Sequence, residues 1–268
     1  MGAPKEHSTD AERKGVQSVE IGLELFKALI MIGEAVSLSD LARTAGMHRA
    51  KAHRYLASLI RTGFASQNEG GLYEIGPFAL QFAATHFSRL NPLQLAMPVA
   101  EQLAKDSGET CLIAMWGPQG PTVVRWYRAP RPVAISIIEG TIFSLTRSAS
   151  GRLFAAHLGE DKTAAQLKQE LAQNRAAKNQ AAPQNLQQMR AIADAIHQHG
   201  LSRVYGLNER GINALAAPVF DRNNRLVMGL TLLGAETNFD ASYTGQPAMH
   251  LRRAAAQLST QLGFTAEK

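Results

Sequence analysis

Five basic residues, Arg43, Arg49, Lys51, Arg54 and Arg61, lie between Leu41 and Asn68 with His48 and His53, and no acidic residue interrupts them. Cations gathered without counter-charges suit phosphate: each can neutralise a backbone charge, and the planar arginine fork can also pair with a base edge. The whole-chain charge of +6 says less, because residues 1–80 hold nine Lys+Arg against nine Asp+Glu, while residues 81–268 hold nineteen against thirteen. What matters is which face carries the charge. The ordinary alternative is a solvated basic face of a helix.

Other residues bear on covalent and metal chemistry. Ser148-Ala-Ser150-Gly-Arg152 forms a serine cluster at a turn before a helix. It lacks the preceding glycine of a nucleophile elbow, so it reads as a helix start with hydroxyls and free amides facing outward, which is also an anion site. Cys111 stands in an apolar strand-like run and reads as a buried, inert thiol. His197 and His199 are two residues apart on a helical stretch and diverge by about 200°, a poor arrangement for a shared metal. HExxH, P-loop and GxGxxG patterns are absent. Neither catalysis nor a cofactor nor a metal is expected.

Arg203 and Tyr205 follow the helix-ending Gly200. Arginine beside helix-start amides and hydroxyls suits a carboxylate, and tyrosine can stack on a ring; the plain alternative is an exposed cation at a strand edge. Arg125, Arg128 and Arg131 form a further patch without acids between Glu109 and Glu139, read as surface or subunit contact.

These residues need elements to hold them. A chain of 268 residues, 45% apolar and 19% charged, has room for about two domains and a sizeable core. One cysteine excludes an internal disulfide and fits a reducing cytoplasm. No apolar run reaches the length of a membrane span, and the polar N-terminus lacks the apolar stretch of a secretory signal. The expectation is a cytoplasmic protein with a disordered tail over residues 1–14.

Val19, Leu23, Phe26 and Ile30 mark one face of a helix that ends at Gly33. Ser37-Leu-Ser-Asp40 has the form of a capping box. Ala42 is small where two helices would cross, Gly46 suits a left-handed turn, and Met47, Ala52, Leu56 and Leu59 would seat a second helix on the first. At about 100° per residue from Ala52, the residues Ala50, Arg54, Ala57 and Arg61 fall on the outer side, flanked by Lys51, His53 and Ser58. Arg49 belongs to the first turn, where the helix dipole favours a phosphate. Phe64 to Gly76, centred on Asn-Glu-Gly-Gly, reads as a two-stranded hairpin. A helix-turn-helix followed by a hairpin is a winged helix, and Glu69 near the tip argues for a wing that positions the protein and reads no sequence.

Helices are expected over Phe78–His86 and from Asn91-Pro92 to Ser107, the latter with Leu95, Val99 and Leu103 on its apolar face. Strands are expected over 110–116, 122–128, 133–138, 213–220 and 226–233. Further helices are expected from Ser148, over 163–171, 186–199 and 248–262, and the Ala-, Gln- and Asn-rich stretch 171–186 reads as an exposed, mobile connection. Strands grouped without strict alternation with helices indicate an α+β domain.

The stretches DLARTAGMHRAKAHRYLASLIRTGF and GLYEIGPFAL resemble the winged-helix domain of IclR-type bacterial transcriptional regulators. The later SASGRLFAA and HGLSRVYGLNERGINALAAPVFDRNNRLVMGLTLLG are similar to the effector-binding half of that family, in the same order. The resemblance implies an all-α, winged-helix DNA-binding domain over residues 15–77, linker helices over 78–108 and an α+β, GAF/PAS-like sensing domain over 109–268. It implies double-stranded operator DNA as partner, met by Arg49, Ala50, Lys51, His53, Arg54 and Ser58, and a homodimer or dimer of dimers. It also implies a pocket for a small organic acid at Ser148, Ala149, Ser150, Val204, Ala214, Thr231 and Leu233. Where family members carry an acidic pair, this chain has Arg203, Val204 and Tyr205, which points to a different ligand. His48 stands where Ser or Thr is common, so slightly different backbone contacts follow. The alternative is a small-molecule-binding or enzymatic α+β protein that uses its helix-turn-helix to contact other proteins.

Overall fold

Ser37 shows how local chemistry starts the architecture. Its hydroxyl accepts from the Asp40 amide at 3.2 Å and donates to Asp40 Oδ2 at 2.7 Å. The reciprocal half of a capping box, carboxylate to the Ser37 amide, is not made. Asp is one methylene shorter than Glu, and its second oxygen faces Arg43. In the computed structural model, which describes residues 15–89, 91–128 and 137–265, this cap opens the second helix of the first of two compact units, residues 1–89 and 90–268.

The first unit runs α1 (Gln17–Ile32), α2 (Leu38–Thr44), α3 (Arg49–Arg61), β1 (Ala65–Gln67), β2 (Tyr73–Ile75) and α4 (Pro77–Arg89). Gly46 in the α2–α3 turn has φ +62, a conformation that costs glycine little. The turn closes with the Met47 amide on the Ala42 carbonyl at 2.8 Å. β1 and β2 are antiparallel, and β2 also exchanges two backbone hydrogen bonds between Tyr73 and Val36, at 2.8 and 2.9 Å. That bridge ties the wing to the segment before α2. Phe64 packs edge-on against Phe26 of α1 at 5.2 Å and Phe78 of α4 at 4.8 Å.

Helix α1 corrects the expected face. Leu25, Ala28 and Leu29 are buried, whereas Val19, Leu23 and Ile30 are about half exposed; of the expected set only Phe26 packs on the core. The helix is apolar on two nearly opposite stripes, so periodicity leaves two choices. The stripe containing the small Ala28 faces α2 and α3.

The second unit runs α5 (Pro92–Ser107), β3 (Thr110–Gly117), β4 (Gly120–Tyr127), α6 (Ala149–His157), α7 (Glu160–Ala176), α8 (Leu186–His199), β5 (Ser202–Tyr205), β6 (Ile212–Phe220), β7 (Leu226–Ala235) and α9 (Gln246–Gln261). Its five strands pair antiparallel in the order β4-β3-β7-β6-β5. Alternation divides the layers. Cys111, Ile113, Leu230 and Leu232 face α5 and α9, where Ala96, Ala100, Ala254 and Ala255 permit close packing. Leu112 and Leu233 face the other way, toward Phe143, and Ala216 lies on that same side with Leu153 of α6. On α5 the buried set is Ala96, Ala100, Leu103 and Ala104, so Leu95 and Val99 lie beside the core and not at its centre.

The short edge strand β5 was not among the expected strands. The expected strand over 133–138 falls mostly outside the described residues, as do Arg131 and the tail 1–14; Ile137 and Ile138 are not in a strand. The stretch expected to be an exposed connection is partly helix and partly anchored: Asn174 is buried and donates to Thr146 Oγ1 at 3.1 Å and to the Pro183 carbonyl at 2.8 Å, and Ala182 is buried. No described helix is long and apolar enough to cross a membrane.

The two faces of α1 are tested by truncation. Leu25→Ala is expected to lower the unfolding free energy by about 2–5 kcal/mol, as a cavity left in a core does. Leu23→Ala is expected to cost less than about 1 kcal/mol. Urea unfolding followed by circular dichroism separates them, and equal losses would return Leu23 to the core.

Candidate nucleic-acid interface and ligand site

Helix α3 begins with His48 as its cap, the imidazole Nδ1 accepting from the Ala50 amide at 3.3 Å. A ring nitrogen thus fills the place of the hydroxyl oxygen that Ser or Thr would offer. Ala52 and Leu56 are fully buried and Leu59 nearly so. The six residues singled out for DNA, Arg49, Ala50, Lys51, His53, Arg54 and Ser58, are all exposed, as are Ala57 and Arg61. Among the described residues no carboxylate pairs with Arg49, Lys51, Arg54 or Arg61, whereas Arg43 is engaged by Asp40. Arg61 donates to Ser58 Oγ at 3.4 Å, which in turn donates to the Arg54 carbonyl at 3.5 Å. The result is a cationic helix face without carboxylate partners among the described residues, whose alanines leave the backbone approachable. At the wing tip Asn68 Oδ1 accepts from the Leu72 amide at 3.1 Å, and Glu69 is exposed.

In the second unit the serines do not face outward. Ser148 caps α6, accepting from the Gly151 amide at 2.9 Å and donating to the Ser144 carbonyl at 2.7 Å. Ser150 Oγ lies 2.8 Å from Thr231 Oγ1, and all three hydroxyl-bearing residues are buried. The helix start abuts the preceding turn so closely that a Cβ on Gly151 would sit 1.9 Å from the Ser144 carbonyl oxygen. The expected outward hydroxyls and amides are therefore corrected: tertiary packing folds the turn 144–148 over the helix start.

The structure nevertheless gathers Ser148, Ala149, Ser150, Val204, Ala214, Thr231 and Leu233 around one cavity of about 40 Å³. That volume holds roughly two or three waters. Leu112, Phe143, Asn208 and Glu209 also line it and were not anticipated. Alternation along β3 could have supplied Leu112; nothing local marks Glu209.

Arg203 and Tyr205 do not join this cavity. In β5 they pair with Leu215 and Asn213, and Val204 between them pairs with Ala214, so the pleat sends them to the other side. With Val204, which borders both, they line an adjoining space of about 460 Å³ together with Arg152, Tyr243 and the side of α8.

Residues 18–69 match the family model described as the IclR helix-turn-helix domain, and residues 84–260 match that of the bacterial transcriptional regulator IclR C-terminal domain. The chain belongs to the IclR family. Among its relatives, the HTH-type transcriptional regulator KipR of Bacillus subtilis is 26% identical over 231 residues, covering 86% of this chain and 91% of KipR. The HTH-type regulator XynR of Escherichia coli is 24% identical, covering 94% and 99%. The crystal structure of Pseudomonas aeruginosa HmgR is similar at 33% identity and TM-score 0.84, covering 94% of this chain and all (100%) of that one. The Agrobacterium tumefaciens repressor BlcR shares the fold at 16% identity and TM-score 0.77, with 94% and 99% covered. Like these relatives, the IclR-type chain is a DNA-binding transcriptional regulator and not an enzyme.

Within this regulator the nucleophile and metal candidates have structural places. Cys111 is fully buried, and burial pushes its thiol pKa up. His197 lies edge-on to His157 at 4.9 Å, while His199 stacks on Tyr243 at 3.9 Å, so the two histidines point apart. Of the patch Arg125, Arg128 and Arg131, Arg125 pairs with Glu139 at 2.6 Å and Arg128 lies 4.4 Å from the centre of the Trp126 ring.

His157 has a buried Nε2 with no hydrogen-bond partner. Burial, and secondly the neighbouring His197, lower its pKa from 6.5 to about 4. It is neutral when folded and takes a proton more readily when unfolded. Its contribution is complete above about pH 6.5 and is lost as pH falls toward about 4, to a total on the order of 3 kcal/mol. His157→Phe should flatten the fall in urea midpoint between pH 7 and pH 5; an unchanged slope would assign that fall to other groups.

Proposed function

We propose that α3 enters the major groove of a double-stranded operator with Arg49, Ala50, Lys51, His53, Arg54 and Ser58 toward the DNA, and that a small organic acid bound in the second unit adjusts the affinity. The observation that carries the DNA half is the partition of α3: its apolar side is sealed by α1 and α2, and its cations stand exposed without carboxylate partners. Ala50 and Ala57 on that outer side permit close approach, and the bidentate reach of Arg54 suits a base edge. The wing, with Glu69 at its tip, positions the domain on the backbone.

A dimer fits this reading. One recognition helix spans only a few base pairs, and two-fold pairing doubles the contacts. The α1 stripe left uncovered by the core, Val19, Leu23 and Ile30, with Val16 just before the helix and Leu80 and Phe82 of α4, offers apolar surface for a second copy.

For the effector, the cavity at the start of α6 is the candidate inherited from the family resemblance. Its hydroxyls are satisfied internally and its volume is about 40 Å³, so a ligand there would have to part Ser150 from Thr231 and widen the space. A molecule that binds only the widened state shifts the population toward it. The domain boundaries proposed for this mechanism are residues 15–77 for DNA binding, 78–108 for the linker helices and 109–268 for sensing.

The test is fluorescence anisotropy against DNA flanking the regulator's own gene, with footprinting to locate the site. A protected region with dyad symmetry is expected. Arg54→Ala should weaken binding by about 1–3 kcal/mol if the side chain meets a base. Lys51→Ala should flatten the salt dependence by about one phosphate contact. Unchanged affinity for Arg54→Ala at fixed salt would remove it from the reading face.

A further inference from the structure

The space of about 460 Å³ beside β5 has a chemistry of its own. Arg152, on the first turns of α6, reaches under the edge strand, donating from Nε to the Thr146 carbonyl at 2.8 Å and from Nη1 to the Arg203 carbonyl at 3.3 Å. Both acceptors are neutral. Among the described residues, no carboxylate pairs with Arg152 or with Arg203, and none of the residues lining the cavity is acidic. A guanidinium withdrawn from water without a counter-charge is costly, and burial lowers the pKa of Arg152 to about 10, which leaves it charged at neutral pH.

Arg203 supplies a second guanidinium. Its carbon lies 4.1 Å from the centre of the Tyr243 ring and 5.4 Å from that of Tyr205, and its Nη1 donates to Tyr205 Oη at 3.3 Å. These contacts hold the group in place without neutralising it. Tyr243 is itself fixed, its ring stacked on His199 at 3.9 Å and its carbonyl accepting from Arg252 at 2.6 Å. The opposite wall is apolar, made by Ile192, Ala195 and neighbouring residues of α8.

We infer that this cavity, which adjoins the one at the start of α6 across Val204, is a binding site for a small organic acid whose carboxylate meets Arg152 and Arg203 and whose carbon skeleton lies between α8 and the tyrosines. Two guanidiniums make charge-assisted, bidentate partners for a carboxylate, and about 460 Å³ falls within the range of ligand pockets. A cavity of about 40 Å³ does not. The inference rests on the reading that the second unit takes a small acid, and it gives that acid a different seat.

Benzoate is the probe, with benzamide as its uncharged counterpart and inorganic phosphate as a skeleton-free anion, each titrated into the full chain by isothermal calorimetry. Benzoate is expected to bind, benzamide at least about tenfold more weakly, and Arg203→Gln to weaken benzoate by about tenfold or more. Arg152→Gln should do the same; because it also gives up two backbone contacts, its fold is checked by thermal unfolding, and Arg203→Gln, on the partly exposed edge, decides if it fails. Arg190→Gln, an exposed change on α8, should leave benzoate binding within about twofold, which excludes bulk charge. Phosphate binding as tightly as benzoate would overturn the role of the apolar wall. Absence of benzoate binding, equal binding of benzamide, or loss on Ser150→Ala with none on Arg203→Gln would overturn the site. Operator anisotropy on the same samples separates the two readings: acid binding that leaves DNA affinity unchanged keeps this site and sinks its regulatory use.

Discussion

The DNA-binding unit depends on how α3 is divided. Ala52, Leu56 and Leu59 are taken up by α1 and α2, and once that face is committed every cation on the helix has to point to water. Placing an arginine or lysine on the inner side would require a buried partner that the small core does not contain. The close approach depends on small residues, Ala42 and Ala52, and on a turn whose left-handed position is a glycine. The wing is held to the same assembly through Tyr73 and Val36, so the recognition helix and hairpin are parts of one rigid arrangement.

In the second unit the corresponding constraint is the pleat of a five-stranded sheet covered on both faces. One strand of four residues, β5, sends Ser202 and Val204 inward while Arg203 and Tyr205 face away. Two cavities of different character adjoin at this strand, with Val204 lining both. The inner one is lined by hydroxyls that already satisfy one another, by apolar side chains, and by Asn208 and Glu209. The edge one gathers the unpaired guanidiniums and aromatic rings. Arg203 and Tyr205 thus meet only the edge cavity, while Val204 between them meets both.

Much of the first unit was legible because its signals are local. A cap, a glycine at a left-handed turn, an Asn-Glu-Gly-Gly hairpin and a 3.6-residue apolar period each act within a few residues, and α2, α3 and the wing formed where those signals stood. The helix α1 was legible in extent but not in orientation, since both of its stripes are apolar and only the neighbours choose between them. The anchoring of 171–186 through Asn174 and the inward turning of Ser148 and Ser150 were hidden for the same reason. Their partners, Pro183, Ser144 and Thr231, are read from contacts, and for Ser150 the partner is 81 residues away.

The chain by itself determined the helices and the described strands other than β5, the family, and the side of α3 that bears charge, because these follow from residue type at short spacing. Tertiary structure alone decided which stripe of α1 is covered, how little space lies beside Ser150 and Thr231, and that Arg152 meets Arg203 at the sheet edge. Burial and pairing are properties of segments that meet only after folding, and no periodicity within either segment encodes the other.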